Sequence, residues 1–235
     1  MKNVVITQSN YILWKGYFDA IALADEFVIY DDMQYTRRDW RNRNLIKTPG
    51  GPQWLTIPVE VKGKYFQKIN ETEVSERDWN VKHWRTLQAN YAKAPYFRDL
   101  KDWAENLYMT VPSTNLTEIN HHFLSGICRL IGIEKRFRFS SEFELAEERT
   151  ERLVNICRDL GGTDYHSGPA AKAYMDESKF TEHGIRVHYF DYSCYPEYRQ
   201  LHPPFEHGVS ILDLIFNEGA QIGSFMKNLS ETSVR

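Results

Sequence analysis

Cysteine is scarce in these 235 residues: Cys128, Cys157 and Cys194 are widely spaced, odd in number, and form no CxxC pair. Such a set builds neither a disulfide framework nor a zinc knuckle, and it suits a reducing compartment. Apolar runs of 18 residues are missing, and no signal peptide precedes the first apolar stretch. The expectation is therefore a soluble, cytoplasmic protein without membrane insertion. Excess positive charge is missing too. With a net charge of −3 and a pI near 6.3, the chain is not expected to partner a nucleic acid polymer. The Gly-Lys-Ser/Thr of a P-loop is absent, which excludes that class of nucleotidase, and neither HExxH nor HxGH occurs. No cluster offers three metal ligands at a recognised spacing, so no structural metal is expected. Gly/Ser-rich linkers, internal repeats and low-complexity tracts are lacking as well, which leaves one domain over residues 1–235.

Aromatic residues are plentiful. Six Trp, fourteen Tyr and thirteen Phe argue against disorder and supply material for both a core and stacking surfaces. A chain of this length buries roughly 70 % of its unfolded surface.

The first fifty residues carry the strongest pattern. An apolar run, Val4-Val5-Ile6, gives way to Thr7-Gln8-Ser9-Asn10, then to an amphipathic run, Asp19 to Ala24. A second apolar run, Phe27 to Tyr30, ends in Asp31-Asp32. Strand, polar turn, helix and strand in that order predict a parallel βαβ unit. Ligands of open α/β sheets bind outside the carboxyl ends of the strands, which puts Gln8, Ser9, Asn10 and the two aspartates on one rim. Adjacent residues at a strand end point apart, so one of Asp31 and Asp32 is expected to face the site. Between Arg37 and Lys47, five cations stand against Asp39 alone, with Trp40, Asn42 and Asn44 interleaved. A solvated basic loop is the plain reading. A phosphate-binding loop is the functional one, because the planar arginine fork matches phosphate oxygens.

Further along, Thr48-Pro49-Gly50-Gly51-Pro52 marks a turn. Gln53 to Val61 is expected as a strand with Gly63 to Ile69 as its partner, the two forming a small hairpin or adding to the sheet. Residues 78–132 turn to helical periodicity, with Trp79, Val81, Trp84, Leu87 and Tyr91 approximating one stripe; the block is expected as a helical insertion or lid. Alternation then resumes: a strand at Arg136 to Ser140, a helix from Glu147 to Leu160 stopped by Gly161-Gly162, and a very short strand ending at Tyr165. A strand at Ile185 to Tyr189 follows, with helices at Ser210 to Asn217 and Ala220 to Leu229. The fold class is α/β, a mostly parallel sheet flanked by helices with an interposed helical block.

The loop His166-Ser167-Gly168-Pro169-Ala170-Ala171-Lys172 is rich in small residues; its backbone N–H groups and Lys172 suit an anion. His166 beside Ser167 is a candidate general base. If the sheet is parallel, Gln8, Asn10, Asp32, His166 and Lys172 are expected to share one cleft, walled by Tyr11, Trp14, Tyr35 and Trp40.

Three stretches carry a resemblance: Gln8-x-Asn10-Tyr11-x-x-Trp14-x-Gly16-Tyr17-Phe18, Asp31-Asp32-x-Gln34-Tyr35, and Arg38-x-Trp40-x-Asn42-Arg43-Asn44-x-Ile46-Lys47. It continues through Trp54 to Val59, Asn90 to Phe97, Tyr165 to Asp176 and Ser210 to Asn217. Together they resemble the WbqC-like family, associated with bacterial O-antigen and other surface-polysaccharide gene sets. The chain departs from that pattern where Thr7-Gln8-Ser9 replaces His-Gln-Pro, which removes a histidine base at that point. The resemblance implies a role in surface-glycan biosynthesis. Joined to the basic loop, it implies an enzyme acting on a nucleotide-linked amino sugar, by acyl or aminoacyl transfer from an activated acyl donor. The expected partner is that sugar or another phosphate-bearing small molecule, with a homodimer left open. His166, Asp32 and Gln8 are the catalytic candidates. Asn10, Tyr11, Trp14, Tyr35, Arg38, Trp40, Asn42, Arg43, Lys47, Ser167 and Lys172 are the substrate-binding candidates. An ATP-dependent amide ligase on a nucleotidyltransferase-like layout and a non-catalytic glycan-pathway binding protein are the alternatives.

Overall fold

The computed structural model describes residues 1–229. The apolar run that opens the chain becomes β1 (Asn3–Thr7), which passes through α1 (Lys15–Leu23) to β2 (Glu26–Ile29). A hairpin of β3 (Arg43–Thr48) and β4 (Gly51–Thr56) leads into α2 (Trp79–Tyr91), α3 (Phe97–Met109) and α4 (Leu116–Leu130). Alternation resumes with β5 (Phe137–Phe139), α5 (Arg149–Asp159), β6 (Asp164–Ser167), α6 (Glu177–Thr181) and β7 (Arg186–Tyr189); α7 (Ile211–Glu218) follows.

The five-stranded sheet runs β5-β2-β1-β6-β7, and every pairing in it is parallel. The chain starts in the middle, moves outward on one side, then crosses back and moves outward on the other. Where the direction reverses, between β1 and β6, a crevice opens beyond the carboxyl ends of the strands. Side chains alternate across the sheet. Val5, Phe27 and Ile29 pack into one buried cluster with α1, α4 and α7. Val4, Ile6, Val28 and Tyr165 pack into another with α5 and α6. Burial on both faces explains why the central strands read as continuous apolar runs.

The helical block is a wall and not a detached cap, since Leu87, Tyr91, Phe123 and Ile127 share the cluster of Val5 and Phe18. Its seam is aromatic. The Tyr11 ring stands edge-on to Trp79 and Phe123 at 5.9 and 5.3 Å. The Tyr11 hydroxyl bonds with Tyr108 Oη and His83 Nδ1, each at 2.9 Å.

The small hairpin differs from the sequence expectation. The Gly51–Thr56 strand pairs backward with Arg43–Thr48, and Gly63 to Ile69 forms no strand. The tight turn is the reason: Thr48 Oγ1 donates to the Gly51 carbonyl, and Gly51 adopts φ 102°, a conformation glycine reaches without strain. Half of the basic segment is thus strand, and Lys47, on the strand face of Arg43 and Leu45, is covered by the chain at Pro204. Lys47 is 2 % exposed and donates to the Pro204 carbonyl at 2.5 Å. Beyond α7, the expected helix at Ala220 to Leu229 is instead a 3-10 segment, Gly219–Phe225.

Burial sets a pH limit on this core. His83 Nε2 meets the Thr56 carbonyl at 3.2 Å, and desolvation lowers the imidazole pKa from 6.5 to about 4. Folded His83 resists a proton that the unfolded chain accepts. Its contribution is intact above pH 6.5 and is lost as pH falls toward 4, by at most about 3 kcal/mol. Urea denaturation across that window should show wild type losing more stability than His83→Gln; equal losses would remove His83 as the cause.

Candidate functional site

Four strands deliver polar side chains to the carboxyl edge. After β1, the Ser9 N–H donates to Asp31 Oδ1 at 2.8 Å and the Ser9 hydroxyl to Asp31 Oδ2 at 2.6 Å. Thr117 Oγ1 from the first turn of α4 donates to Asp31 Oδ2 at 2.7 Å. Asn120 Nδ2, one turn on, donates to Ser9 Oγ and to the Arg41 carbonyl, both at 2.9 Å. The β1 exit, the β2 exit, α4 and the arginine segment are thereby fastened around one buried carboxylate. Burial raises the Asp31 carboxyl above its usual range, and the bonds from Ser9 and Thr117 with the field of Arg41 offset part of that.

Asp32 turns the other way, as alternation requires. It accepts from Ser140 Oγ at 2.6 Å and Asn70 Nδ2 at 3.2 Å, with Lys68 Nζ at 3.5 Å.

Arg41 occupies the junction of two clefts. Its guanidinium donates to Asn10 Oδ1 and to Gln8 Oε1, the latter at 3.1 Å. Both acceptors are neutral amides; the nearest ion-pair partner, Asp39, stands at 3.8 Å. On the Gln8 side lies a crevice of about 500 Å³ over β1, β2 and β6. Thr7, Gln8, Gln34, Thr36, Ser167 and Gly168 line it, together with Arg149 and Tyr174. Arg149 opens α5, at the positive end of the helix dipole, and its guanidinium lies 4.8 Å from the centre of the Tyr174 ring. Among the described residues, no carboxylate lines this crevice. On the Asn10 side is a second cleft of about 350 Å³, lined by Leu13, Trp14, Tyr17, Trp40, Asn44, Tyr192, His207 and Gly208 besides Asn10.

The residues singled out in the sequence divide accordingly. Gln8 and Ser167 meet in the crevice, while Asn10, Trp14 and Trp40 meet in the aromatic cleft. Asp32 lines neither. His166 belongs to β6, not to the loop after it, and points to the face opposite Tyr165. Its Nε2 pairs with Asn3 Oδ1 at 3.0 Å and its ring stacks on His188 at 4.7 Å. Burial first, and His188 second, lower its pKa. Lys172 is exposed, 5.9 Å from the Tyr189 ring centre, although Gly168, Ala170 and Ala171 of its loop do reach the crevice. The expected single cleft is therefore two, without His166, Asp32 or Lys172.

Other expected binding residues are spent on structure. Tyr11 is fully buried in the helical seam and Tyr35 is 7 % exposed. Asn42 Nδ2 is held by the Ile57 carbonyl at 2.7 Å, and Lys47 is sealed in the core. Arg43 lies 4.0 Å over the Trp54 ring and donates to the Arg38 carbonyl; Arg38, exposed with φ 59°, makes the turn that permits it. Arg149 and Tyr192 had no pattern of their own; Tyr174 stands in the resembling stretch Tyr165 to Asp176, and His207, with His202, flanks Pro203-Pro204-Phe205 in a loop able to reach a neighbouring site. Arg41 was counted among the basic run with nothing to set it apart.

The family model described as the WbqC-like protein family matches residues 8–224. An uncharacterized protein of Mycobacterium tuberculosis (strain ATCC 25618 / H37Rv) is 52 % identical over 227 residues, covering 97 % of this chain and 98 % of the relative. No solved structure matches.

The buried carboxylate yields a test. Because the folded pKa of Asp31 is raised, the native state holds its proton more tightly than the unfolded chain. Stability from this group is present at low pH and declines as pH rises from the ordinary carboxylate range through the raised folded value. Asp31→Asn does not titrate, so the stability difference between wild type and variant, followed by urea denaturation, should shift against wild type with rising pH. A constant difference would place the carboxyl in no unusual environment.

Proposed function

The chain belongs to the WbqC-like protein family, and from that membership and the paired clefts we propose an enzyme of surface-glycan biosynthesis that modifies a nucleotide-linked amino sugar by acyl or aminoacyl transfer to its amine. The observation that carries this reading is Arg41, a guanidinium held by the neutral amides of Gln8 and Asn10 between a polar crevice and an aromatic cleft. A cation bonded to neutral acceptors keeps its charge available for an incoming anion, and arginine matches phosphate with two parallel bonds.

In this reading the phosphates enter the crevice beside Ser167, Gly168 and Arg149, at the strand reversal where doubly wound sheets take nucleotides. Gln8 orients the ligand, and Arg41 faces the negative charge that develops on the acyl oxygen as the amine attacks. The amine loses a proton to a base, the C–N bond forms, and the donor's leaving group departs. The strand order also supports a second reading, an ATP-dependent amide ligase with its nucleotide in the same crevice.

Incubation with a uridine-diphosphate amino sugar and an acyl thioester should give a product heavier by one acyl group in mass spectrometry. Product formed only with ATP, with release of pyrophosphate or ADP, selects the ligase; no product from either mixture overturns both. In calorimetry, Arg41→Ala and Arg149→Ala should each weaken nucleotide-sugar binding by about tenfold or more, the loss shrinking at high salt. Unchanged affinity in both would take phosphate out of the crevice.

A further inference from the structure

The aromatic cleft has a chemistry distinct from the crevice. Trp14 stands edge-on to Tyr192 at 5.0 Å and 77°, and to Tyr195 at 5.6 Å and 66°. Across the opening, Trp40 is 41 % exposed and tilts 47° from Trp54, with ring centres 5.1 Å apart. Among the described residues, none lining the cleft is lysine, arginine, aspartate or glutamate. Its floor is closed by Tyr17, whose hydroxyl is committed to the Gln8 carbonyl at 3.0 Å. Asn44 is likewise spent, donating to the Tyr11 and Ile12 carbonyls at 2.9 and 3.1 Å. Asn10, whose amide oxygen holds Arg41 and whose amide nitrogen is left over, and His207 bring further polar groups to the lining.

We propose that this cleft is a pyranose subsite, in which a sugar ring lies against the open indole of Trp40 while its polar substituents reach Asn10 and His207. An apolar concavity with few polar groups orients a ligand by those groups and holds it by its walls. The ring pairs that build the walls meet edge-on or tilted, not stacked, so each wall offers single ring faces. A sugar presents a C–H face to one ring and keeps its hydroxyls at the edge. Naming the sugar an amino sugar rests on the function proposed above. The subsite itself rests on the walls of the cleft.

Saturation-transfer NMR with methyl glucosaminide as the probe tests this without any donor or nucleotide. Saturation should pass to the ring protons of the sugar, and Trp40→Ala and Tyr192→Ala, both at partly exposed positions, should each reduce it severalfold at an unchanged melting temperature. Two results overturn the proposal: no saturation of the glycoside, or saturation that neither variant reduces. Adenosine taking saturation in place of the glycoside would make the cleft a base site and also overturn it. Uridine monophosphate followed by its phosphorus resonance reports the crevice separately, so loss of the phosphate site leaves the glycoside result standing.

Discussion

The carboxylate of Asp31 accepts hydrogen bonds from the Ser9 N–H, the Ser9 hydroxyl and the Thr117 hydroxyl, almost wholly out of contact with water. Burying a charge is costly unless its lone pairs are met, so these partners are obligatory, and with Asp31 itself they join three separate parts of the chain. Thr117 lies in the first turn of α4, where the helix dipole also favours a negative neighbour. Through Asn120 the same helix holds the backbone at Arg41. The helical block thus holds the arginine that ties Gln8 of the crevice to Asn10 of the aromatic cleft, which is why a segment inserted between two strands of the sheet bears on its carboxyl edge.

A second buried network governs the far wall. Asp213 accepts from the Tyr91 and Tyr198 hydroxyls, each at 2.8 Å, close enough to Lys47 to feel its charge. Gln200 bonds to Tyr198 at 3.2 Å and to the Glu206 carbonyl at 2.8 Å. The long irregular connection from β7 to α7 is therefore tied down by its own side chains. Unstructured connections of that length inside a compact domain are uncommon unless they serve a site. This one supplies Tyr192 and His207 to the aromatic cleft. Lys47, from a segment that suggested binding, is held by the same connection through the Pro204 carbonyl.

Most of the fold was legible in the sequence because the signals were local. Apolar runs bounded by polar turns marked β1 and β2, helical spacing marked the helical block from residue 78, and Gly161 closed α5. The site was legible only in part. Gln8, Asn10, Trp14, Trp40 and Ser167 were found because each leaves a strand or stands in the segment after one. His166 was misplaced because its strand runs two residues further than the pattern suggested, and one residue of register decides which face a side chain takes. The basic run could not be sorted by composition. Burial of Lys47, packing of Arg43 on Trp54 and the bonds of Arg41 are all tertiary facts.

The placement of β1 has a consequence for how the chain reaches this structure. One neighbour, β2, lies 22 residues further along, and the turn from Asp25 back to Asn3 closes early. The other is β6, whose His166 meets Asn3 across 163 residues. On a ribosome the first strand emerges with one edge satisfied and waits for most of the polypeptide before the other is covered. Closing so long a loop is entropically unfavourable and slows folding, and an unpaired central edge invites association with other chains meanwhile. The half-sheet of β1, α1 and β2, leaning on the helices made next, is the species that chaperones would meet, and the crevice comes into being only when β6 arrives.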